Sequence, residues 1–375
     1  MPDRVLRAID APTIDHRGPD FARLGLELLE GLQAIFRTDG PVVIYPSSGT
    51  GAWEAALVNT LSPGDRVLAF ETGHFATLWR AMAQRLGLEV EWVAGDWRHG
   101  VDPDRVAEIL SADDGSIRAV TVVHNETSTG VTSRVHAVRE AMDGAGHDAL
   151  LLVDTISSLG SVDYRHDEWG VDVTVGCSQK GLMLPPGLGF NAVSEKALAA
   201  AETARLPRSY WDWRPIIEAN RGGFWPYKPP TNLLYGLREA VAMLQEQGLE
   251  NVIARHRRHA AATRAAVQGW GLEVLCLDER EHSPVLTAVL TPADVDADEV
   301  RRVILERFDM SLGAGLGKVA GKVFRIGHLG DFNDLMLAGT LCGVQMGLRI
   351  AGVPAGDGVQ DALALLERAP EPAAV

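Results

Sequence analysis

A lysine and an aspartate stand at the ends of two strand-like segments of this chain. Lys180 closes the mostly apolar run 174–180 and is followed by Gly181, and Asp154 directly follows the apolar run 150–153. Because the carboxyl ends of parallel strands meet at one edge of a sheet, the two side chains can converge there. Pyridoxal phosphate chemistry requires such a pair: a lysine amine that condenses with the cofactor aldehyde and a carboxylate that holds the pyridinium nitrogen. A structural salt bridge, or two solvated strand ends, would use the same residues.

A segment rich in glycine and hydroxyl groups, 47–51, follows another strand-like run and precedes a helical pattern at 52–57. Glycines let the backbone approach an anion, hydroxyls donate to it, and a helix N-terminus supplies free N–H groups and partial positive charge. The segment therefore predicts a phosphate cradle in which Ser48, Gly49 and Thr50 are the donors. A plain capped helix start would explain the same residues.

The elements that must position these residues follow from hydrophobic periodicity. Strand-like runs alternate with helical patterns between residues 42 and 193, which predicts an α/β fold whose mainly parallel sheet is buried on both faces. The predicted strands are 42–45, 66–70, 90–93, 119–123, 150–153, 171–175 and 189–193, and the helices between them include 52–61, 75–86 and 104–110.

A second, smaller α/β domain is predicted after this sheet. An irregular stretch rich in Trp and Pro, 206–230, leads into a long helix at 231–247. We therefore assign residues 1–247 to a large domain, 248–352 to a small domain, and 353–375 to a loosely held tail rich in Ala, Pro, Glu and Gly. In the small domain the pattern predicts helices to 267, at 298–307 and from 333, and strands at 272–275, 285–290 and 323–326.

Composition and charge limit the possible function classes. A chain of 375 residues with 46% hydrophobic residues can bury a large core. Its formal net charge of −15 argues against nucleic acids and anionic membrane surfaces as partners. The basic run 255–258 does not change this, because it lies in a helical pattern and is predicted to be a solvated face.

Compartment is predicted from the cysteines and from the absence of targeting patterns. Cys177, Cys276 and Cys342 sit among apolar residues without metal or disulfide spacing, so we expect three buried, reduced thiols. No apolar run reaches the ~20 residues of a membrane span, and neither end of the sequence resembles a signal peptide or a peroxisomal address. We therefore expect a cytoplasmic protein.

Two segments around the candidate lysine carry a family resemblance. The sequences VDTISSLG at 153–160 and GCSQKGLMLPPGLGF at 176–190 resemble the class V aminotransferases of pyridoxal phosphate fold type I, and most closely their serine–glyoxylate and alanine–glyoxylate branch. The Ser-Gln-Lys tripeptide and the double proline are specific to that branch, and the likeness runs from residue 5 to about 352. It implies pyridoxal 5′-phosphate as cofactor, a large domain with a mainly parallel, seven-stranded-type sheet, a smaller C-terminal α/β domain, and a homodimer.

The resemblance also implies roles for the residues already singled out. Lys180 would hold the cofactor aldehyde and then move the substrate Cα proton, while Asp154 would keep the ring nitrogen protonated. Ser48, Gly49 and Thr50 would hold the cofactor phosphate.

Four further positions acquire roles from the family pattern. Phe75 would stack on the cofactor ring, Thr127 would donate to its phenolic oxygen, Gln179 would reach the phosphate, and Arg325 would bind the substrate carboxylate. The residues alone leave other interpretations open. Phe75 could be a core residue, Thr127 part of a turn, and Arg325 the partner of an internal carboxylate, since a buried guanidinium needs one.

The sequence departs from the family pattern in two places. Where relatives have a threonine that donates to the phosphate bound by the neighbouring subunit, this chain has Lys228, for which we expect a charge-assisted contact across the dimer interface. Relatives also carry a Gly-Pro-Gly-Pro-Thr-Asn-like segment ahead of the position of Pro2. We expect this chain to begin after that segment, which helps to close the active site over the substrate.

The expected reaction is amino transfer from a small amino acid to glyoxylate, giving glycine and a 2-keto acid. Serine is the favoured donor because no second arginine stands beside Arg325 for a side-chain carboxylate. Aspartate is the alternative donor, because Arg17 or Lys228 could supply that second charge. A cysteine desulfurase would need a mobile cysteine in the small domain, and a non-catalytic pyridoxal phosphate-binding protein would not need Arg325.

Overall fold

The computed structural model of the chain describes residues 1–368. The helices of this part are α1 (Asp3–Ile9), α2 (Pro19–Phe36), α3 (Gly49–Thr60), α4 (His74–Arg85), α5 (Pro103–Ala112), α6 (Val135–Gly144), α7 (Glu195–Thr203), α8 (Trp213–Asn220), α9 (Thr231–Gln247), α10 (Leu249–Gly269), α11 (Ala297–Phe308), α12 (Asp334–Ile350) and α13 (Gly358–Leu366). Its strands are β1 (Val42–Ser47), β2 (Arg66–Phe70), β3 (Glu89–Val93), β4 (Ile117–Val123), β5 (Asn125–Glu126), β6 (Val131–Thr132), β7 (Leu150–Asp154), β8 (Val173–Cys177), β9 (Gly187–Val193), β10 (Glu273–Val274), β11 (Leu286–Leu290), β12 (Gly313–Ala314) and β13 (Val323–Gly327).

A seven-stranded sheet in the order β1-β9-β8-β7-β4-β2-β3 forms the centre of the large domain. Strands β3, β2, β4, β7 and β8 are parallel to one another, and only β9 runs antiparallel to the strands on either side of it, β8 and β1. The central strands β7 and β8 are buried along their whole length, as expected for apolar strands with helices on both faces. The predicted α/β class and the mainly parallel sheet are confirmed.

Side chains alternate between the two faces of this sheet, as the period of a β-strand requires. In β1, Val43 and Tyr45 face a core shared with α3, α4, α7 and α8, whereas Val42 and Ile44 face a core shared with α1, α2 and α9. Helices α5 and α6 cover the far half of this second face. The sheet is therefore the middle layer of three, and its carboxyl edge stays open for a site.

A smaller antiparallel sheet, in the order β10-β11-β13-β12, follows in the chain. Helices α10, α11, α12 and α13 pack on it around a core that includes Trp270, Phe324 and Ile326. The predicted helices and the strands near 272–275, 285–290 and 323–326 are all present. The two-residue strand β12 was not predicted, because so short a segment has no hydrophobic period.

Two segments predicted to be irregular or loose contain helices. The prediction of a loosely held tail is wrong for Gly358–Leu366. These residues form α13 and bury Val359 and Ala362 against the small domain. Within the irregular stretch 206–230, α8 begins after Asp212, whose carboxylate accepts the Arg214 N–H at 3.1 Å. In both places tertiary packing supplies the stabilisation that short helices lack in isolation. Residues 369–375 of the predicted tail lie outside the described part.

The basic run 255–258 is not the solvated face that its pattern predicts. Arg255 donates to the carbonyls of Gly330 and Phe332, both at 2.9 Å, and His256 is fully buried. Arg258 binds the Asp334 carboxylate at 2.6 Å. The run therefore holds the segment that leads into α12, and Arg257 is the one exposed residue within it.

Cysteine burial agrees with the prediction at two of three positions. Cys177 and Cys276 are 1% and 2% exposed, but Cys342 is exposed on α12. Its apolar neighbours in sequence misled the prediction, because they lie on the other side of the helix. Among residues 1–368, no helix is both long and apolar enough to span a bilayer.

Candidate active site

Asp154 occupies the carboxyl end of the central strand β7 and is 3% exposed. Its Oδ2 accepts a hydrogen bond from Trp53 Nε1 at 3.0 Å, and its Oδ1 accepts one from the Ile156 N–H at 2.6 Å. Burial nevertheless raises the pKa of Asp154 to about 7. A carboxylate that is costly to ionise where it stands is stabilised by a cation placed against it, and a protonated pyridine nitrogen is such a cation.

Lys180 follows β8, the neighbour of β7, on a loop with a fixed backbone. The Ser178 hydroxyl ties this loop together by donating to the Pro185 carbonyl at 2.8 Å. The residue after the lysine must be Gly181, because an added Cβ would lie 2.1 Å from the Leu159 carbonyl oxygen. Among the described residues, the half-buried Lys180 ammonium has no hydrogen-bond or ion-pair partner. The loop thus fixes the backbone of the lysine while its amine stays available for reaction.

The predicted phosphate cradle lies where β1 passes into α3. Ser48 is the N-cap residue of α3, yet no described side chain caps this helix end and its first turn carries no acidic residue. Packing is tight at two glycines, since a Cβ on Gly49 would lie 2.2 Å from the Ile156 side chain and one on Gly51 would lie 2.1 Å from the Ser47 hydroxyl, so those side chains would have to move. The exposed Thr50 completes an uncapped helix N-terminus, which is the arrangement that binds anions.

Glu126 positions Phe75, and sequence reasoning missed it. Glu126 is fully buried, and its carboxylate accepts from the Phe75 N–H at 3.3 Å and the Ala76 N–H at 3.1 Å. It also accepts from the Ser128 hydroxyl at 2.6 Å, and burial raises its pKa. Glu126 therefore caps α4, on which Phe75 is half-buried. A carboxylate at a helix N-terminus is a known stabilising pattern, but here about 50 residues separate cap and helix, so no local signal exists.

Thr127 has its hydroxyl engaged within the protein. Thr127 Oγ1 donates to Ser157 Oγ at 2.9 Å, and Ser157 in turn donates to the Asn125 carbonyl at 2.8 Å. Donation from Thr127 to a cofactor oxygen would require the hydroxyl to turn away from Ser157. Ser157 is a second residue that sequence reasoning missed, because it lies in the turn after β7 rather than at a strand end.

Arg325 reaches from the small domain to the edge of the large sheet. Its Nη1 donates to the Thr127 carbonyl at 2.6 Å, and its Nε donates to the Ala314 carbonyl at 2.8 Å. Among the described residues no carboxylate pairs with Arg325, so the alternative of an internal ion pair is not observed. Burial lowers the pKa of this guanidinium. Its Nη2 group has no acceptor in the described part of the chain and can bind an incoming carboxylate.

Lys228 is the one predicted residue that the structure does not link to the others. It is exposed and lines a cavity of about 450 Å³ together with His16, Arg17 and Tyr227. The segment that carries it is anchored, since the hydroxyl of Tyr227 donates to the Ile44 carbonyl at 3.1 Å. The cavity therefore brings the two basic side chains, Arg17 and Lys228, to one place on the surface.

The predicted cradle, Asp154 and the lysine loop are joined through a short chain of contacts. Trp53 of α3 donates to Asp154, Gly49 packs on Ile156 beside it, and Cys177, which precedes the lysine loop, contacts the Ile156 carbonyl at 3.6 Å. The phosphate cradle, Asp154 and the loop that carries Lys180 thus share one edge of the sheet.

These residues fit pyridoxal 5′-phosphate by three observations. The α3 N-terminus lacks a cap, the buried Oε1 of Gln179 has no partner among the described residues, and the buried Asp154 is costly to ionise without a cation. A bound phosphate would accept from the free N–H groups of α3, a polar group of the ligand would pair with Gln179 Oε1, and a pyridinium would stabilise the Asp154 carboxylate.

Neither cysteine of the small domain suits desulfurase chemistry. Burial raises the pKa of Cys276 to about 12, so its thiol stays protonated at neutral pH, and Cys342 lies within the regular helix α12 rather than on a mobile loop. Among the described residues no group of His, Cys, Asp and Glu side chains could hold a metal ion.

The fold and the site define a pyridoxal phosphate-dependent enzyme of fold type I. The chain belongs to the class V aminotransferases, whose family model matches residues 16–320. Among solved structures it is similar to the ureidoglycine–glyoxylate aminotransferase of Bacillus subtilis, with a TM-score of 0.90, 29% identity, and coverage of 98% of this chain and 96% of that one.

Curated relatives match over nearly the whole chain. A serine–glyoxylate aminotransferase of Methylorubrum extorquens is 49% identical over 99% of this chain and 94% of its own length. An L-aspartate–glyoxylate aminotransferase of Paracoccus denitrificans is 48% identical over 94% of this chain and 90% of its own length. The two differ in donor at nearly equal identity, so overall similarity does not choose between serine and aspartate.

Proposed function

We propose that this enzyme transfers an amino group from serine to glyoxylate, producing glycine and a 2-keto acid. The observation that carries the proposal is the Arg325 guanidinium, which has no carboxylate partner among the described residues and keeps Nη2 free at the edge of the sheet. Serine and glyoxylate share an α-carboxylate, so one arginine serves both half-reactions. The serine–glyoxylate relatives at 46% to 49% identity support the same assignment.

The site residues divide the chemistry among them. When bound, pyridoxal phosphate supplies the electron-accepting ring that makes the substrate Cα–H acidic. The Lys180 amine would hold the cofactor aldehyde and, once freed by the donor amine, would act as the base that moves the Cα proton to the former aldehyde carbon of the cofactor, as amino transfer requires. The Asp154 carboxylate keeps a proton on the ring nitrogen, and the α3 N-terminus with Ser48, Gly49 and Thr50 holds the phosphate.

Three further side chains orient the reactants. Phe75, fixed through Glu126, would stack on the ring, an arrangement worth roughly 1 kcal/mol beyond burial. Gln179 would contact the phosphate, and Thr127 would donate to the phenolic oxygen after its hydroxyl turns from Ser157. A non-catalytic cofactor-binding protein would have no use for a free guanidinium at Arg325, which disfavours that alternative.

Aspartate is the second candidate donor, and one observation favours it. Arg17 and Lys228 line the same cavity of about 450 Å³, so two cations are available for a side-chain carboxylate. The Paracoccus relative acts on aspartate by its name. If these cations reach the substrate, they do so in a site completed by another subunit, since within residues 1–368 no hydrogen bond or ion pair joins either side chain to a site residue.

We further propose a cytoplasmic homodimer in which segment 225–228 of each subunit completes the phosphate site of the other. The exposed Lys228 ammonium then makes a charge-assisted hydrogen bond to that phosphate. The support is its position where relatives carry a phosphate donor, together with the anchoring of the segment through Tyr227 and Trp225 to the Ile44 carbonyl.

A donor screen tests the proposal. The cofactor-loaded enzyme is given glyoxylate with serine, alanine or aspartate, and glycine formation is measured against Lys180→Ala as the inactive control. We expect the highest kcat/KM with serine. A clear preference for aspartate would reverse the donor assignment, and loss of aspartate activity alone in Lys228→Ala would then locate the second charge. Glycine formation from none of the donors, with cofactor bound, would establish the non-catalytic alternative.

A further inference from the structure

Helix α12 carries an apolar stripe on its outward side. Leu335 is 84% exposed, and Met346 and Ile350 are 46% and 48% exposed. Gly339 and Cys342, also exposed, continue the stripe between them. The spacing of these five residues is four, three, four and four positions, which places them along one side of a helix, as in the seam between paired helices. We refer to these five residues as the α12 face.

Charged residues are missing from α12 between its two ends. The sequence from Leu335 to Leu348 contains no Asp, Glu, Lys or Arg, whereas surface helices ordinarily carry charges on the outward side. The opposite side of α12 is already buried in the small-domain core through Leu337, Leu341 and Val344. A helix that is apolar on all sides is covered on all sides in its working state.

Glycine makes close approach of a second helix possible. A Cβ added at Gly339 would meet no described atom within 4 Å, so this glycine is not required by packing inside the subunit. The inward glycines of the same helix differ, since a Cβ on Gly347 would lie 2.1 Å from Ile304. A small residue on an outward face lets the backbones of two helices come near each other.

We propose that the α12 face pairs antiparallel with the α12 face of a second copy of this chain, about a two-fold axis beside Cys342. The stripe is self-complementary, because Cys342 lies at its midpoint and Leu335 and Ile350 lie at its two ends. A two-fold axis there sets Leu335 against Ile350 of the partner subunit and brings the two Cys342 thiols together. An isologous contact of this kind is the commonest form of subunit interface.

The charges at the ends of the helix match the antiparallel orientation. Exposed Asp331 precedes α12, Asp334 begins it but is already paired with Arg258, and exposed Arg349 lies in its last turn. Antiparallel pairing brings Arg349 of each copy toward the acidic, N-terminal end of the other helix. The macrodipoles also favour this orientation, whereas parallel pairing would place like charges side by side.

This interface is separate from the one proposed for segment 225–228, which belongs to the large domain. Two different two-fold contacts on one chain close into an assembly of four copies when their axes intersect at right angles, which is the arrangement we propose. The count of four depends on the homodimer proposed above, but the pairing of the α12 faces does not.

The test uses the full-length, cofactor-loaded enzyme and measures its mass in solution by light scattering. We expect four copies for the unaltered chain and two for Met346→Glu, which places two carboxylates in the apolar seam. Leu277→Glu is the matched control, because Leu277 is 50% exposed but lies outside α12, and it should keep four copies. Glycine formation checks that each variant is folded, since neither residue belongs to the active site.

Crosslinking locates the contact. Cys342 is the exposed cysteine, while Cys177 and Cys276 are buried, so a short bis-maleimide should join two chains through Cys342. The crosslink should disappear in Met346→Glu and in Cys342→Ser. A mass of two copies with the crosslink present would support the α12 pairing and overturn the 225–228 interface instead. Absence of the crosslink, with Met346→Glu leaving the mass unchanged, would overturn the α12 pairing.

Discussion

Replacing Asp154 by asparagine should stabilise the cofactor-free protein while it abolishes most of the activity. The pKa of Asp154 rises from 3.8 to about 7 because the carboxyl is buried. A shift of this size corresponds to ~4 kcal/mol at ~1.36 kcal/mol per pKa unit. Since the folded pKa is raised, the penalty is absent below about pH 4, where folded and unfolded chains are both protonated. It grows as the pH rises toward 7 and is complete above it.

Asparagine removes this penalty but introduces a smaller one. Its amide NH2 must face either the Trp53 or the Ile156 N–H, both of which now donate to the carboxylate. Leaving one donor without an acceptor costs roughly 1–2 kcal/mol. The net gain for Asp154→Asn is therefore ~2–3 kcal/mol at pH 8 and about 1–2 kcal/mol at pH 6.

Urea unfolding of the two cofactor-free proteins between pH 6 and pH 8 measures this difference. The free energy of unfolding of the unaltered protein should fall with pH relative to that of Asp154→Asn. Adding pyridoxal phosphate should stabilise the unaltered protein more than the variant, because only the carboxylate pairs with a pyridinium. A stability difference that does not vary with pH, or a variant less stable at pH 8, would refute the argument that Asp154 is held at an energetic cost.

Three further substitutions test the proposed roles. Lys180→Ala should lose turnover and the visible absorbance of the bound cofactor. Borohydride treatment should fix cofactor to a peptide containing Lys180 in the unaltered protein only. Fixation in the variant would show that another lysine holds the cofactor. Arg325→Ala should lower kcat/KM for serine and for glyoxylate by roughly 100-fold, since a hydrogen bond to a charged group is worth ~1.5–3 kcal/mol, and an effect on one substrate alone would contradict a shared carboxylate site. Lys228→Ala should weaken cofactor binding by about tenfold in a fluorescence titration, and unchanged affinity would leave Lys228 without a role at the phosphate.

The fold was predictable from the sequence to the extent that its elements have a clear hydrophobic period. The strands of the large sheet are buried on both faces, so they appear as short runs of Val, Leu and Ile separated by helical patterns. Helix α8 and helix α13 escaped prediction because they are short and depend on packing against the rest of the chain. Cys342 was misplaced because the burial of a helical residue depends on its side of the helix and not on its neighbours in sequence.

Sequence by itself determined the chemical identities of the site: a lysine and an aspartate at strand ends, a glycine- and hydroxyl-rich turn before a helix, and an arginine in an apolar strand. These are local patterns, and each carries its meaning within a few residues. Tertiary structure alone decided how costly the site residues are to ionise and which groups they hydrogen-bond to. Glu126 caps the helix of Phe75, Trp53 donates to Asp154, and Arg325 donates to the Thr127 carbonyl, which is 198 positions away in the chain. The physical reason is that hydrogen bonding and desolvation depend on distances in space, which only the packing of the two domains sets.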